Sequence, residues 1–282
     1  MRASNQKTLA GPVALGGIGL HTGSPCAVRM EPAPENSGVL FLSGSDEIAA
    51  CVENVFDTKL GTSIRNLNGR VVRTVEHLMA AVSISGLDNV HVRIDGDELP
   101  VLDGSAAPFV EAIAGAGLAE QKEPRRVLRV DKSFEIVDGD RWIRASPHHG
   151  RLIDVSIRFE DEAIGSQRAS ADLSDAAAQR RLARARTFCR LADVDAMRSI
   201  GLSLGGSLDN AVVVDGDRII NDSGLRDPSE FAYHKMLDLV GDLALAGAPL
   251  IGKIEAARPG HDLNVRFVKE LLASGAVIER RL

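Results

Sequence analysis

What limits the fold of this 282-residue chain most is an order of elements that runs twice: β-rich sequence, then helical sequence, on each side of a polar, proline-bearing stretch at 120–126. Before that stretch, short β-like runs alternate with glycine turns: Leu9 to Leu15, Gly16-Gly17-Ile18-Gly19, Pro25 to Met30, and Val39 to Leu42. From Thr74 the pattern turns helical, with Thr74 as N-cap and Gly86 as the stop. Val90 to Ile94 then alternates as a half-buried strand, and a second helix is expected from Ser105 to near Gly117. After the stretch, strands are expected around Val127 to Val137, Arg141 to Ala145 and Leu152 to Phe159, then a helix from about Ser174 to Arg184. A hairpin around Gly216, the longest helix from Pro228 to Ala246, a strand near Ile251 to Ala256 and a last helix from about Asp262 to Ser274 follow. Strands then helices, twice, predicts an α+β chain of two domains, 1–122 and 127–282, joined by a linker at 120–126.

Bulk properties narrow the function. With 44% hydrophobic and 26% charged residues the chain is of ordinary globular composition. A net charge of -6 and an aromatic share of 4% speak against a nucleic-acid partner, which needs a Lys/Arg excess and stacking rings. No basic start followed by an apolar run marks a leader, and no apolar run of about 18 residues marks a membrane span. Cys26, Cys51 and Cys189 are odd in number and form no CxxC pair, as expected of reduced thiols in the cytoplasm.

The chemistry concentrates on the long helix, where His234, Asp238 and Asp242 stand at i, i+4 and i+8. At about 100° per residue they share an arc of roughly 80°, opposite an apolar face. An imidazole and a carboxylate one turn apart suit a metal ion, and equally suit an ion-paired surface; spacing leaves both open. Glu76-His77 sits in the first turn of the Thr74 helix, whose dipole favours an ionised Glu and a neutral His. His261 follows Pro259-Gly260 at the start of the last helix, and His21 lies in a glycine turn. His91, His148 and His149 are expected to be ordinary strand and loop residues. P-loop and dinucleotide-fingerprint patterns are missing from the sequence.

Taken together, Gly-Ile-Gly-Leu-His-Thr-Gly (17–23), Thr-Val-Glu-His-Leu (74–78), Asp-Gly-Ser-Ala-Ala-Pro-Phe-Val (103–110), Ala-Arg-Thr-Phe (185–188), Gly-Gly-Ser-Leu-Asp-Asn-Ala-Val-Val (205–213), His-Lys-Met-Leu-Asp-x-x-Gly-Asp-Leu (234–243) and Gly-His (260–261) closely resemble the UDP-3-O-acyl-N-acetylglucosamine deacetylase family. The blocks come in family order and span nearly the whole chain. The resemblance implies two similar domains, each a sheet layered with helices, packed as a β-α-α-β sandwich with a metal site between them. It implies hydrolysis of the N-acetyl group of UDP-3-O-acyl-N-acetylglucosamine, the committed step of lipid A biosynthesis.

By resemblance, His77, His234 and Asp238 are ligands of one catalytic Zn2+, with Fe2+ as the alternative metal. Glu76 is the general base, His261 the protonated acid, Asp242 its partner, and Thr187 an oxyanion contact. Lys235, Phe159, Phe188, Arg141 and His21 are expected to border the substrate: Lys235 its phosphate or sugar, Phe159 the uracil. The chain departs from the family with Arg141 where Lys is expected, Glu160-Asp161-Glu162 where Asn-His-Pro is expected, and Cys189 where glycine is usual. An insert around Val213 to Ile220 is expected to form the acyl passage. The expected partner is a small lipid-linked UDP-sugar, and a monomer is expected. Competing readings are a silent nucleotide-sugar binder, a deacetylase of another acetamido sugar, and a closed structural zinc site.

Overall fold

Residues 4–282 are described by a computed structural model, and among them six α-helices and five β-sheets form. The helices are α1 (Glu76–Ser85), α2 (Ala107–Ala116), α3 (Ala176–Ala183), α4 (Leu191–Ser199), α5 (Glu230–Ala244) and α6 (His261–Ala273). The expected α+β class holds.

One sheet comes wholly from the early part of the chain, in the order Val13–Ile18, Pro25–Pro32, Val90–Asp95, Val39–Ser43, Asp46–Ala49. Its inner face follows from period-2 alternation: Val28 lies opposite Ile94 and Met30 opposite Val92, all four buried. The larger sheet comes from the later part and centres on Leu250–Ala257, which pairs antiparallel with Arg141–Ser146 and parallel with Arg151–Arg158 and Arg126–Val130. Here Ile143 meets Ala256 and Ala145 meets Ile254, again on the inner face.

Between the sheets lie α1 and α5, which pack on each other more extensively than any other helix pair. In α1, 8 of 10 residues are buried, and in α5, 13 of 15, so neither helix has a solvent face. The two backbones come close because residue 241 is glycine: a Cβ there would stand 2.0 Å from the Glu76 carbonyl oxygen. Each large apolar side chain in this shared core, Leu78, Met79, Phe231 and Leu237 among them, contributes about 1.5–3 kcal/mol of burial.

Several local expectations need correction. Thr74 does not cap α1; Val75 is the N-cap, with no side-chain cap, while Thr74 takes φ +57° and gives its hydroxyl to Glu98 Oε1 at 3.0 Å. The side chain is held on the Glu98 carboxylate, and its oxygen accepts from no amide of the helix start. The helix expected from Ser174 is capped by Asp175, which accepts from the Ala177 and Ala178 amides. The stretch 120–126 is extended: Leu118–Pro124 pairs antiparallel with Asn5–Leu9, and Arg126–Val130 follows after one residue. Leu9 to Leu15 is two strands in different sheets, broken around Gly11-Pro12, because proline supplies no amide to a ladder. Helix α4 and the strands Ser166–Asp172 and Val277–Arg281 were not anticipated; α4 buries no residue and so carries no amphipathic signal.

Candidate active site

The close approach of α1 and α5 puts the first turn of α1 against the middle of α5. His77 Nε2 and His234 Nε2 point at the same oxygen, Asp238 Oδ1, at 3.6 and 3.3 Å. One ligand atom from each of the three residues lies within 4.8 Å of the others, and all three side chains are buried. On the far side of its ring, His234 Nδ1 faces the Ala185 carbonyl at 3.2 Å. That contact makes Nδ1 the donor and leaves the Nε2 lone pair toward Asp238, the usual arrangement of a metal-binding histidine. Burial drives the His234 pKa down to about 4, so the ring is neutral at pH 7. Burial alone would raise the Asp238 carboxyl, but His234 and Lys235 outweigh it and hold it well below the usual range. Two imidazoles and one carboxylate are a donor set that fits a borderline divalent ion.

Beside this cluster stand two groups of opposite kind. The Glu76 carboxyl is pushed above its ordinary value by burial, only partly offset by His261 and His77. His261, at the start of α6, places Nε2 4.0 Å from Glu76 Oε1 and 3.9 Å from Asp238 Oδ2, while Nδ1 meets Asp242 Oδ2 at 2.9 Å. Burial opposes its charge, but Asp242 and Glu76 prevail and lift the imidazole to about 9. The site therefore holds a protonated imidazole about 4 Å from a carboxylate of raised affinity for a proton.

All six central residues expected from sequence, Glu76, His77, His234, Asp238, Asp242 and His261, converge here. The others sit around them. Lys235 donates to Asp238 Oδ2 at 2.6 Å and lines a cavity of about 320 Å³ together with Arg141, Arg158, Phe159, Arg190 and Arg258. Arg141 is engaged by Asp262 at 2.7 Å and by Asp138, Arg190 by Asp161, and Arg258 by Asp140, so acidic partners already hold these three arginines of the cavity wall. Thr187, Phe188 and His21 line a second cavity of about 370 Å³, whose wall is mostly apolar and includes Cys189, Leu191, Val194, Met197, Val213 and Ile220. His21 is tied at both ring nitrogens: Nε2 faces the Leu60 carbonyl at 3.0 Å and Nδ1 accepts from the Ser203 amide at 3.3 Å. Phe159 and Phe188 meet edge to face at 5.6 Å, at the border of the two cavities.

Three buried residues at the site escaped the sequence reading. Thr62 bonds Asp242 and Glu76, Asn264 donates to Asp242 Oδ2 at 2.8 Å, and Glu98 accepts four hydrogen bonds, from the His21 and Thr22 amides and the Thr22 and Thr74 hydroxyls. Nothing in the spacing of Gly61-Thr62-Ser63 marks it. The signal for Asn264 was its position one turn after His261, which puts both on one helix face.

The family model described as UDP-3-O-acyl N-acetylglycosamine deacetylase matches residues 6–273. A UDP-3-O-acyl-N-acetylglucosamine deacetylase of Anaeromyxobacter sp. (strain Fw109-5) is 45% identical over 95% of this chain and 89% of its own length. Proteins of the same name from Phenylobacterium zucineum (strain HLK1) and Geobacter sp. (strain M21) are 44% and 45% identical, each over 95% of this chain and over 93% and 88% of their own lengths. The chain belongs to the UDP-3-O-acyl-N-acetylglucosamine deacetylase family. In this deacetylase-family chain the scattered sequence blocks fold onto one locus: Glu98 ties the 17–23 loop to Thr74, and Gly104 accepts from the Thr187 amide at 2.7 Å. No helix among the described residues is long and apolar enough to cross a membrane.

Proposed function

We propose that this chain is an amidohydrolase that splits the N-acetyl group from UDP-3-O-acyl-N-acetylglucosamine, giving UDP-3-O-acyl-glucosamine and acetate, in the committed step of lipid A biosynthesis. The observation that carries the reading is the convergence of His77, His234 and Asp238 with Glu76 and His261 in one buried cluster. His77, His234 and Asp238 would hold a divalent ion, zinc by donor type with Fe2+ as the alternative. When bound, such an ion lowers the pKa of a water toward about 7 and polarises the acetamide carbonyl.

The protein's own groups supply the proton traffic. Glu76, raised above its ordinary value, accepts the proton of the attacking water. His261 enters the reaction charged, so it stabilises negative charge developing on the carbonyl oxygen and then delivers its proton to the departing amine as the C–N bond breaks. Asp242 fixes Nδ1 and keeps that charge in place. Thr187, held by Gly104 and Val212 through its backbone, lines the adjoining cavity and offers its hydroxyl to the oxyanion.

Substrate fit follows the two cavities. The basic one, with Lys235, Arg141 and Phe159, suits the nucleoside diphosphate; the apolar one, bounded by Phe188, His21 and Cys189, suits the 3-O-acyl chain. We assign the domains to 1–122 and 127–282, supported by the five-stranded sheet, whose strands lie within residues 13–95, and the seven-stranded sheet, whose strands lie within residues 126–281. The substrate class and the absence of a spanning helix among the described residues support work in the cytoplasm.

Acetate release from substrate with and without the 3-O-acyl chain tests the reading. Burial of even four methylenes at about 0.8 kcal/mol each predicts a loss of about 200-fold in kcat/KM for the truncated sugar. Equal kcat/KM for both would favour a deacetylase of a simpler acetamido sugar.

A further inference from the structure

Thr62 is fully buried at the seam between α1 and α5, and every polar group it owns is committed to the site. Its amide donates to Glu76 Oε2 at 2.9 Å, and its carbonyl accepts from the Val75 amide at 3.0 Å, so its backbone is fixed to the start of α1. Its hydroxyl donates to Asp242 Oδ1 at 2.6 Å, and the same oxygen lies 3.2 Å from His261 Nδ1. The Nδ1–H is thereby shared between Asp242 Oδ2, at 2.9 Å, and the threonine oxygen. Nε2 is left pointing toward Glu76 and Asp238.

We propose that Thr62 is a positioning residue that registers the general base on α1 against the Asp242–His261 pair on α5 and α6. The assignment rests on the deacetylase reading above for its catalytic meaning, and on geometry alone for the hydrogen bonds. One residue holds both proton-transfer groups through different atoms, so deleting the hydroxyl frees the acid side while leaving the base side tethered. A hydroxyl oxygen on Asp242 is also what the site needs electrostatically: Oδ1 is fully buried, and the carboxylate would otherwise present an unpaired oxygen. Asn264 serves the other oxygen and does not touch Glu76 or His261 through any hydrogen bond of its side chain.

The test uses Thr62→Val, which keeps shape and amide but removes the hydroxyl, Thr62→Ser, which restores it, and Thr62→Ala in case valine does not fold. Turnover, KM, bound metal and the imidazole proton resonances of His261, assigned with His261→Ala, are measured on each. Misplacement of a proton donor at this range predicts a fall in kcat of about 10- to 100-fold for Val or Ala. KM should stay within about twofold, metal content should be unchanged, and Ser should recover most of the rate. The Nδ1 proton signal of His261 should shift or exchange faster in Val and Ala and return in Ser. Wild-type kcat in Thr62→Val, or a Ser variant as slow as Val, would overturn the proposal. So would an unaltered His261 signal in Val and Ala. If wild-type protein releases no acetate, the deacetylase reading falls, while the His261 signal still decides whether Thr62 holds the imidazole.

Discussion

Glu76 and His261 stand 4.0 Å apart, each with its proton affinity raised above the ordinary value, and most of the proposed chemistry depends on that pair. If Glu76 is the base, Glu76→Ala should lower kcat by about 10²- to 10⁴-fold while bound metal stays at wild-type stoichiometry, checked by atomic absorption. Unchanged turnover removes Glu76 from the mechanism. His261 gives a pH prediction for the metal-free protein. Its folded-state value is raised to about 9, so the fold favours the charged ring. That stabilisation is complete below the unfolded imidazole value near about 6.5, and it is lost as pH rises through about 9. Titration of the His261 Cε1 proton by NMR should show a midpoint near 9, and Asp242→Asn should bring it down. A midpoint near the ordinary value in wild-type protein would contradict the Asp242 pairing. At this scale the residues with unusual spacing were legible in sequence, because His234, Asp238 and Asp242 fall on one face at helical period. Thr62 and Glu98 were not, because each joins the site only through contacts between segments far apart in the chain.

Among the elements, the crossing of α1 on α5 does the most to build the site, since it brings Glu76 and His77 to the face that carries His234 and Asp238. Gly241 sets the depth of that crossing. In Gly241→Ala the new Cβ would meet the Glu76 carbonyl at 2.0 Å, backbone that cannot rotate away. The helices must separate, at about 1–3 kcal/mol or more by the usual cost of overpacking. A drop in the urea midpoint together with weakened metal binding is expected; wild-type values for both would mean that the crossing tolerates a wider spacing. The helices that bury an apolar surface, α1, α2, α5 and α6, were readable to within about two residues, since burial imposes the period that sequence shows. Helix α4 was not, because it buries no residue, and its role as a wall of the apolar cavity through Leu191, Val194 and Met197 exists only in three dimensions. The misreading of Thr74 has the same origin: local capping logic saw a hydroxyl before a helix, and the buried Glu98 took it.

For the whole molecule, the two sheets and the helices between them leave the candidate metal centre where early and late parts of the chain meet, with His77 from one and His234 and Asp238 from the other. The twofold order of strands and helices announced that plan, although the stretch at 120–126 is paired strand where a loose connection was expected. A site assembled across such a seam makes function and folding depend on the same packing, and a bound ion that recognises only the folded arrangement adds to stability by mass action. We propose the His77–His234–Asp238 cluster as a catalytic metal site for N-deacetylation. Its most direct test is acetate release from UDP-3-O-acyl-N-acetylglucosamine by purified protein, stripped of metal and then given one equivalent of zinc. Activity should vanish on stripping and return with zinc, whereas full activity in the metal-free protein, or none in folded protein with metal bound, would contradict a catalytic metal at this cluster.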